Sequence, residues 1–503
     1  MAGPATSGFS GLTEPGYGTL PDGSFARVPP TPTPAPQLLR LNEGLASHLG
    51  LSVDWLSSAD GVAVLAGNQP AEGVPPLAMA YAGHQFGNWV PSLGDGRAIL
   101  IGEARDRDGA LREIQLKGAG RTPFSRAGDG RAALGPVLRE YVVSEAMQAL
   151  GIPTTRALAM LTTGDSIVRD TVQPGAILAR VSAGHVRVGT FQYFHARGMT
   201  DHVRALADFV IERRYPEAAE SAAPHGPYRA LLDRVIAAQA DLIARWMLVG
   251  FIHGVMNTDN MSILGETIDY GPCAFLDEYE PGKVFSSIDH GGRYAYAQQP
   301  NIGLWNLTRF AETLLPLLDE SEEAAVEAAK DALEAYAPRF EQTYRTRLLR
   351  KIGLEMPNEE NLDVASRLLE RMAEQQANFT LTFRRLCDGV VDTPPKDVDA
   401  GPRSLFADPS GFDAWAADWR QRLRTEGRDA DQTRAEMRAT NPAMIPRNHR
   451  VQQAIDAATE GNLGPLDDLW TVTTKPFEDH PGLSQYADPP EPHERVHATF
   501  CGT

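Results

Sequence analysis

The strongest periodicity in the chain lies between Tyr228 and Gly250, where Leu231/Leu232, Val235/Ile236, Leu242/Ile243 and Trp246/Met247 recur at a seven-residue rhythm. Such spacing lines the apolar side chains along one stripe and predicts a long amphipathic helix running directly into His253. The pattern turns helical from Thr200 onward, with further helices predicted at about 304–315, 322–336, 337–352, 362–375, 412–426 and 451–459. Before Thr200 the chain reads differently. Residues 97–103 are an apolar strand, Asp108-Gly109 is a hairpin signal, and 111–117 pairs back and ends on Lys117. A helix is predicted at 134–150, stopped by Gly151 and Pro153. Short strands at about 157–161, 166–170 and 176–181 follow it. Upstream, Pro29, Pro30, Pro32, Pro34 and Pro36 suggest an extended surface strap leading into a helix at 37–48.

This order of elements predicts an α+β protein with a small mixed α/β lobe followed by a large helical lobe. The boundaries drawn from it are 1–80 for a strap and helices packing on the core, 81–195 for the small lobe, 196–390 for the helical lobe, and 391–503 for a helical extension with a cysteine-bearing tail. Prolines 394, 395, 402 and 409, set among acids and glycines, support the last boundary. The helices after Phe412 carry no motif, and covering the large lobe is the simplest role for them.

Bulk numbers narrow the function. A length of 503 residues suits a two-lobed enzyme with appendages. A formal charge of −18 disfavours a binder of phosphate backbones, which presents a net basic face, so no nucleic-acid partner is expected. No apolar run is long enough to cross a membrane, and the first residues lack the basic start and apolar stretch of a secretion signal. The expectation is a cytoplasmic protein with no membrane partner. The three cysteines, Cys273, Cys387 and Cys501, form no C-x-x-C pair, so neither a zinc site nor a disulfide framework is indicated.

Candidate chemistry sits in the run 252–271, I-H-G-V-M-N-T-D-N-M-S-I-L-G-E-T-I-D-Y-G. Kinase-type catalytic loops place an Asp two residues after the His and a magnesium-binding Asn five residues beyond that Asp. Here Val255 stands where the base is expected, while Asn260 occupies the metal position. Asp269-Tyr270-Gly271 follows across an expected strand pair, 261–264 with 267–269, as the second magnesium ligand with its aromatic and glycine partners. One carboxylate and one amide suffice for magnesium, which leaves much of its shell to phosphates and water. Asp259, directly before Asn260, is the best remaining base; the alternative is that it merely orients Asn260. His253 reads as a structural hydrogen-bonding residue.

Ahead of this run, the Gly94-Asp95-Gly96 turn, strand-ending Lys117 and helical Glu140 come in the order that lets an ion pair set a lysine on ATP phosphates. Six arginines add an unusual element: Arg97 in the turn, Arg121, Arg126 and Arg131 in the loop before the helix, and Arg180 and Arg187 at the end of the small lobe. Guanidinium groups match phosphate oxygens better than they match adenine. If several converge, phosphates occupy the part of the cleft where a kinase holds its base.

The runs Tyr81-Ala82-Gly83-His84-Gln85-Phe86-Gly87, 115–126 (Q-L-K-G-A-G-R-T-P-F-S-R), 253–260 (H-G-V-M-N-T-D-N) and 268–272 (I-D-Y-G-P) resemble the selenoprotein O family over nearly the whole chain. The resemblance implies a protein-kinase-like fold that binds ATP back to front and transfers AMP to Ser, Thr or Tyr hydroxyls of acceptor proteins. It further implies that Gly94, Gly96, Arg97, Lys117, Asp129, Gly130, Arg180, Arg187 and Asp269 bind the nucleotide and that Glu140 pairs with Lys117. Asp259 would be the proton acceptor, and Asn260 and Asp269 would hold Mg2+ or Mn2+. Cys501 would be a redox partner of Cys273. Within this reading the rivals are a conventional kinase and a non-catalytic ATP-binding scaffold.

Overall fold

A computed structural model describes residues 12–169, 171–220, 225–391 and 400–500. Its organising element is a nine-stranded sheet in which the pairings are antiparallel. The main path runs Phe25–Arg27, Leu77–Met79, Ala98–Arg105, Leu111–Lys117, Val172–Ser182, Arg156–Val168 and Gln37–Leu41. Leu12–Thr13 and Ala132–Ala133 attach off this path. Strands from the proline strap and from the region after it therefore share one sheet.

Alternation along the strands decides what each face carries. Ile114 and Leu116, with Ile177, Ala179 and Val181, point to an apolar layer closed by the helices Glu43–His48 and Ala59–Leu65. Ala176 and Leu178 point the other way, into a layer shared with the helix Leu134–Ala149. On that second face the register sets Leu178 opposite Lys117 and Arg180 opposite Gln115. The same period of two that fills the core thus delivers Gln115, Lys117 and Arg180 together to one side.

The remaining chain is largely helical. Gly226–Val249 packs against Gln299–Leu318, Glu322–Glu334 and Tyr336–Lys351, and Glu359–Glu374 packs against Pro409–Glu426. No helix among the described residues is long and apolar enough to cross a membrane.

Several sequence expectations change. Residues 37–41 form a strand because Gln37–Leu41 pairs with 159–162 of the long strand, and tertiary pairing outweighs a helix-forming composition. The predicted strands at 157–161 and 166–170 are a single strand, Arg156–Val168, irregular between Thr162 and Ser166; Asp170 lies outside the described residues. Helices Val188–His195, Phe379–Leu386, Ala430–Thr440 and Gly464–Thr473 join those expected. The helices after Phe412 divide their roles: Pro409–Glu426 covers the helical region, whereas Asn448–Thr459 and Gly464–Thr473 pack on Leu134–Ala149. Residues 392–399, part of the expected boundary, lie outside the described residues.

Candidate active site

Lys117 and Arg180, neighbours on one face of the sheet, both reach Glu140 on the covering helix. Lys117 Nζ lies 2.5 Å from Oε2, and Arg180 donates to Oε1 from Nη2 at 2.5 Å and from Nε at 2.8 Å. Asp269 completes the cluster from below. Its Oδ1 accepts from Arg180 Nη2 at 2.7 Å and from Lys117 at 3.2 Å, and its Oδ2 lies 3.1 Å from Arg187 Nη1. Three cations share two carboxylates, so each cation keeps N–H capacity for phosphate oxygens. Burial opposes ionisation of both acids. Arg180 and Lys117 nonetheless hold Glu140 below the usual carboxylate range, and Arg180, Arg187 and Lys117 hold Asp269 well below it.

Arg187 also donates from Nη1 to the Asp259 carbonyl at 3.0 Å and stacks over the Tyr81 ring, 4.6 Å from its centre. Asp95 lies farther away, with 4.0 Å separating it from Arg187; its carboxylate accepts from Met79 N and Gln115.

The loop that carries the expected chemistry is closed by two short paired strands, Phe251–Ile252 and Ala274–Phe275. The expected pairing of 261–264 with 267–269 does not form. Ser262 instead bridges to Arg187, and Thr267 to Thr154. Each flank of the turn is thereby tied to the sheet side of the molecule, and Asp269, at φ 64°, is held in the left-handed region. His253 is structural, as expected: Nε2 donates to the Ile268 carbonyl at 2.9 Å, and burial lowers its pKa.

Asp259 lies in a single turn, Thr258–Asn260, and is buried. Its Oδ2 accepts from Gln85 Nε2 at 3.2 Å, while Oδ1 is buried without a hydrogen-bond partner. Burial pushes its pKa up to about 6. Asn260 donates its amide N–H to the Val255 carbonyl at 3.0 Å, which leaves the amide oxygen as its ligand atom. With the Asp269 carboxylate, this amide oxygen makes an all-oxygen pair of the kind a hard divalent cation takes. A second acidic group, His48, Asp106 and Asp108, has ligand atoms within 4.8 Å of one another. It sits at the hairpin end of the strands that carry Lys117 at their other end, and Asp106 is already used by Ala110 N, Asp108 N and Arg112.

The glycine turn packs on the arginine-rich loop: Thr122 Oγ1 donates to Asp95 O at 2.7 Å, and Ser125 donates to Gly96 O. Gly94 has φ 69°, and a Cβ there would lie 2.3 Å from the Phe124 ring, so both backbone and space demand glycine. Gly130 accepts from Gly120 N across the loop. The other candidates scatter. Arg97 is half-buried in the turn, Arg121 and Arg126 are exposed, and Arg131 donates to Thr31 and Pro32 of the strap. Asp129 is exposed and forms a two-point pair with Arg169. Of the six arginines, Arg180 and Arg187 join the Lys117 cluster.

Cys273 is a buried thiol whose pKa burial pushes up to about 12, and Cys501 lies outside the described residues. Near Cys273, Thr499 Oγ1 donates to the Pro272 carbonyl at 2.6 Å, and Arg139 Nη1 donates to both Gly271 O and Phe500 O at 2.9 Å. Sequence reasoning missed Arg139, Tyr81 and Gln85. Tyr81 and Gln85 lie in a motif that carried the resemblance, but an aromatic ring or an amide has no spacing signature of its own.

Sheet, lysine–glutamate pair and metal-type loop together define a kinase-like α+β protein. The family model described as "Protein adenylyltransferase SelO" matches residues 12–474. The chain is 60% identical over 488 residues to a protein nucleotidyltransferase YdiU of Rhodopseudomonas palustris strain BisB5, covering 97% of this chain and 98% of the relative. Proteins of the same name from Bradyrhizobium diazoefficiens and from a strain of Methylorubrum extorquens are 57% and 58% identical, again over 97% of this chain and 98% of each relative. The chain belongs to the protein adenylyltransferase SelO family.

Proposed function

We propose that this chain transfers AMP from ATP to Ser, Thr or Tyr hydroxyls of acceptor proteins, with the triphosphate seated among Lys117, Arg180 and Arg187. The observation that carries this reading is the convergence of two buried guanidiniums and a lysine on the shared carboxylates of Glu140 and Asp269. Such a cluster accepts phosphate oxygens and leaves little apolar room for adenine, which favours a nucleotide bound back to front with its α-phosphorus toward the 259–269 loop. Gly94, Gly96, Arg97, Asp129 and Gly130 complete the nucleotide site on this reading.

In the reaction, the acceptor hydroxyl oxygen attacks the α-phosphorus, the bond to the bridging oxygen breaks, and pyrophosphate leaves. Asp259 takes the hydroxyl proton; a carboxyl whose pKa burial pushes up to about 6 is better matched to that task than an exposed one. Asn260 and Asp269 would hold Mg2+ or Mn2+, which when bound supplies positive charge against the phosphates. Lys117, steadied by Glu140, offsets charge on the phosphate oxygens.

The segments 1–80, 81–195, 196–390 and 391–503 then serve as strap, nucleotide lobe, helical lobe carrying the catalytic loop, and bracing extension of a cytoplasmic enzyme. Cys273 and Cys501 are read as a redox pair. Thr499, two residues before Cys501, is bonded to the residue next to Cys273, and cytosolic disulfides of this kind are commonly regulatory.

Incubation with ATP labelled at the α- or the γ-phosphate tests the assignment. Retention of α-label alone, abolished in Asp269→Ala, is the expected result. Retention of γ-label alone identifies a kinase and refutes the proposal; retention of neither, with ATP bound, identifies a scaffold.

A further inference from the structure

The hairpin made by Gly83–Gln85 and Asn88–Val90 belongs to neither the nine-stranded sheet nor the helical array. It turns through Phe86 and Gly87, both at positive φ (51° and 83°), the geometry of the tightest two-residue connection. Its outward-facing groups grip the catalytic turn at three successive residues. Phe86 N donates to Asn257 Oδ1 at 3.0 Å, His84 N to Thr258 Oγ1 at 2.7 Å, and Gln85 Nε2 to Asp259 Oδ2 at 3.2 Å. Tyr294 O–H donates to the same Asn257 oxygen at 2.6 Å, so the turn is fixed from two sides.

Contact is close because Gly83 has no side chain. A Cβ at Gly83 would stand 2.5 Å from Asp259 Oδ1 and 3.0 Å from its Cβ. The consequence is an asymmetric carboxylate: Oδ2 is bound by an amide, and Oδ1, packed toward Gly83, is buried with no hydrogen-bond partner. An ionised carboxylate in that state has one oxygen whose lone pairs are uncommitted and whose direction is set by the other.

We propose that Gln85 is a positioning residue for the transfer reaction: its amide holds Asp259 Oδ2 so that Oδ1 is the oxygen left for the acceptor hydroxyl, and Gly83, lacking a side chain, lets the hairpin come close enough to make that bond. The inference rests on the reading of Asp259 as proton acceptor. It gives a role to the hairpin half of a motif whose Tyr81 stacks on Arg187, and it places the device on a strand pair outside the sheet that carries Lys117 and Arg180. Gln85 should therefore act on turnover and leave ATP binding alone.

The test uses the full chain, with α-labelled ATP, Mg2+, and casein as a generic acceptor alongside self-modification. Gln85→Met keeps the length and removes the donor; Gly83→Ala keeps the donor and crowds Oδ1. Gln85→Met should lower kcat about ten- to a hundredfold, the size expected for one hydrogen bond to a charged group, and Gly83→Ala should lower it as well by displacing the carboxylate, with the KM for ATP unchanged within twofold in each. Gln85→His, which restores a donor, should recover part of the loss. In the Asp259→Ala background, Gln85→Met should cost nothing further, since its effect passes through the missing carboxylate.

Wild-type kcat in both single variants overturns the proposal. So does a loss in Gln85→Met that persists in the Asp259→Ala background or appears equally in ATP affinity and melting temperature, because that is a structural effect. Near-normal transfer by Asp259→Ala itself would instead overturn the base assignment, and that outcome is distinguishable from failure of the Gln85 inference alone.

Discussion

Asp259→Asn should make the ligand-free protein more stable at neutral pH while it removes activity. Asp259 is 6% exposed, one oxygen has no partner, and burial pushes its pKa from 3.8 up to about 6. A group harder to ionise when folded contributes its full stability below about pH 3.8 and loses it as pH rises through about 6. At pH 8 the folded chain is then about 3 kcal/mol less stable than it would be with a neutral side chain there. Asn is nearly isosteric and can still accept from Gln85, so the substitution isolates the charge. A chain of 503 residues sheds about 1 kcal/mol of stability per °C near its midpoint, which makes the expected gain about 3 °C at pH 8, shrinking toward zero near pH 4. Thermal melts in chelator, without nucleotide, from pH 4 to 8.5 measure it. A variant that melts lower than wild type at pH 8, or a difference that does not change with pH, would refute the claim that an ionised Asp259 is held against its solvation preference.

Glu140→Gln removes the carboxylate shared by Lys117 and Arg180, and breaking a buried pair on one side should cost about 3–5 kcal/mol, seen as a melting decrease of similar size in °C together with weakened ATP binding by titration calorimetry. Gly94→Ala should raise the KM for ATP, since a Cβ would strike the Phe124 ring and the backbone stands at φ 69°; an unchanged KM would separate that turn from the nucleotide site. Alkylation of Cys273 at pH 8 should be slow in the folded protein because burial holds the thiol near 12, and Thr499→Val should speed it by loosening the Pro272 contact; peptide mass mapping distinguishes it from the other cysteines.

The parts of the site that were legible in the sequence are those set by local pattern. Lys117 ends a strand announced by alternation and a glycine turn, and Glu140 lies in a helix bounded by a proline stop. Asn260 and Asp269 stood out by spacing alone as candidate metal ligands. What depended on distant partners was not legible. The strand pair expected at 261–269 fails because Ser262 and Thr267 find partners at Arg187 and Thr154, over 70 residues away in sequence. That Arg180 joins the Lys117 cluster follows from the strand register that faces it toward Glu140, and no linear spacing encodes that. Gln85 escaped for the same reason, since its partner is 174 residues away.

Helices Asn448–Thr459 and Gly464–Thr473 lie against Leu134–Ala149, whose opposite side rests on the sheet. Kinase-like enzymes commonly switch off by swinging the glutamate helix away from its lysine. Here that helix is sandwiched, and Tyr141, next to Glu140, stacks on Trp470 of the outer layer at 4.8 Å. An off state reached by outward rotation would have to peel away two helices first, and a shortened chain ending before residue 448 forfeits the clamp.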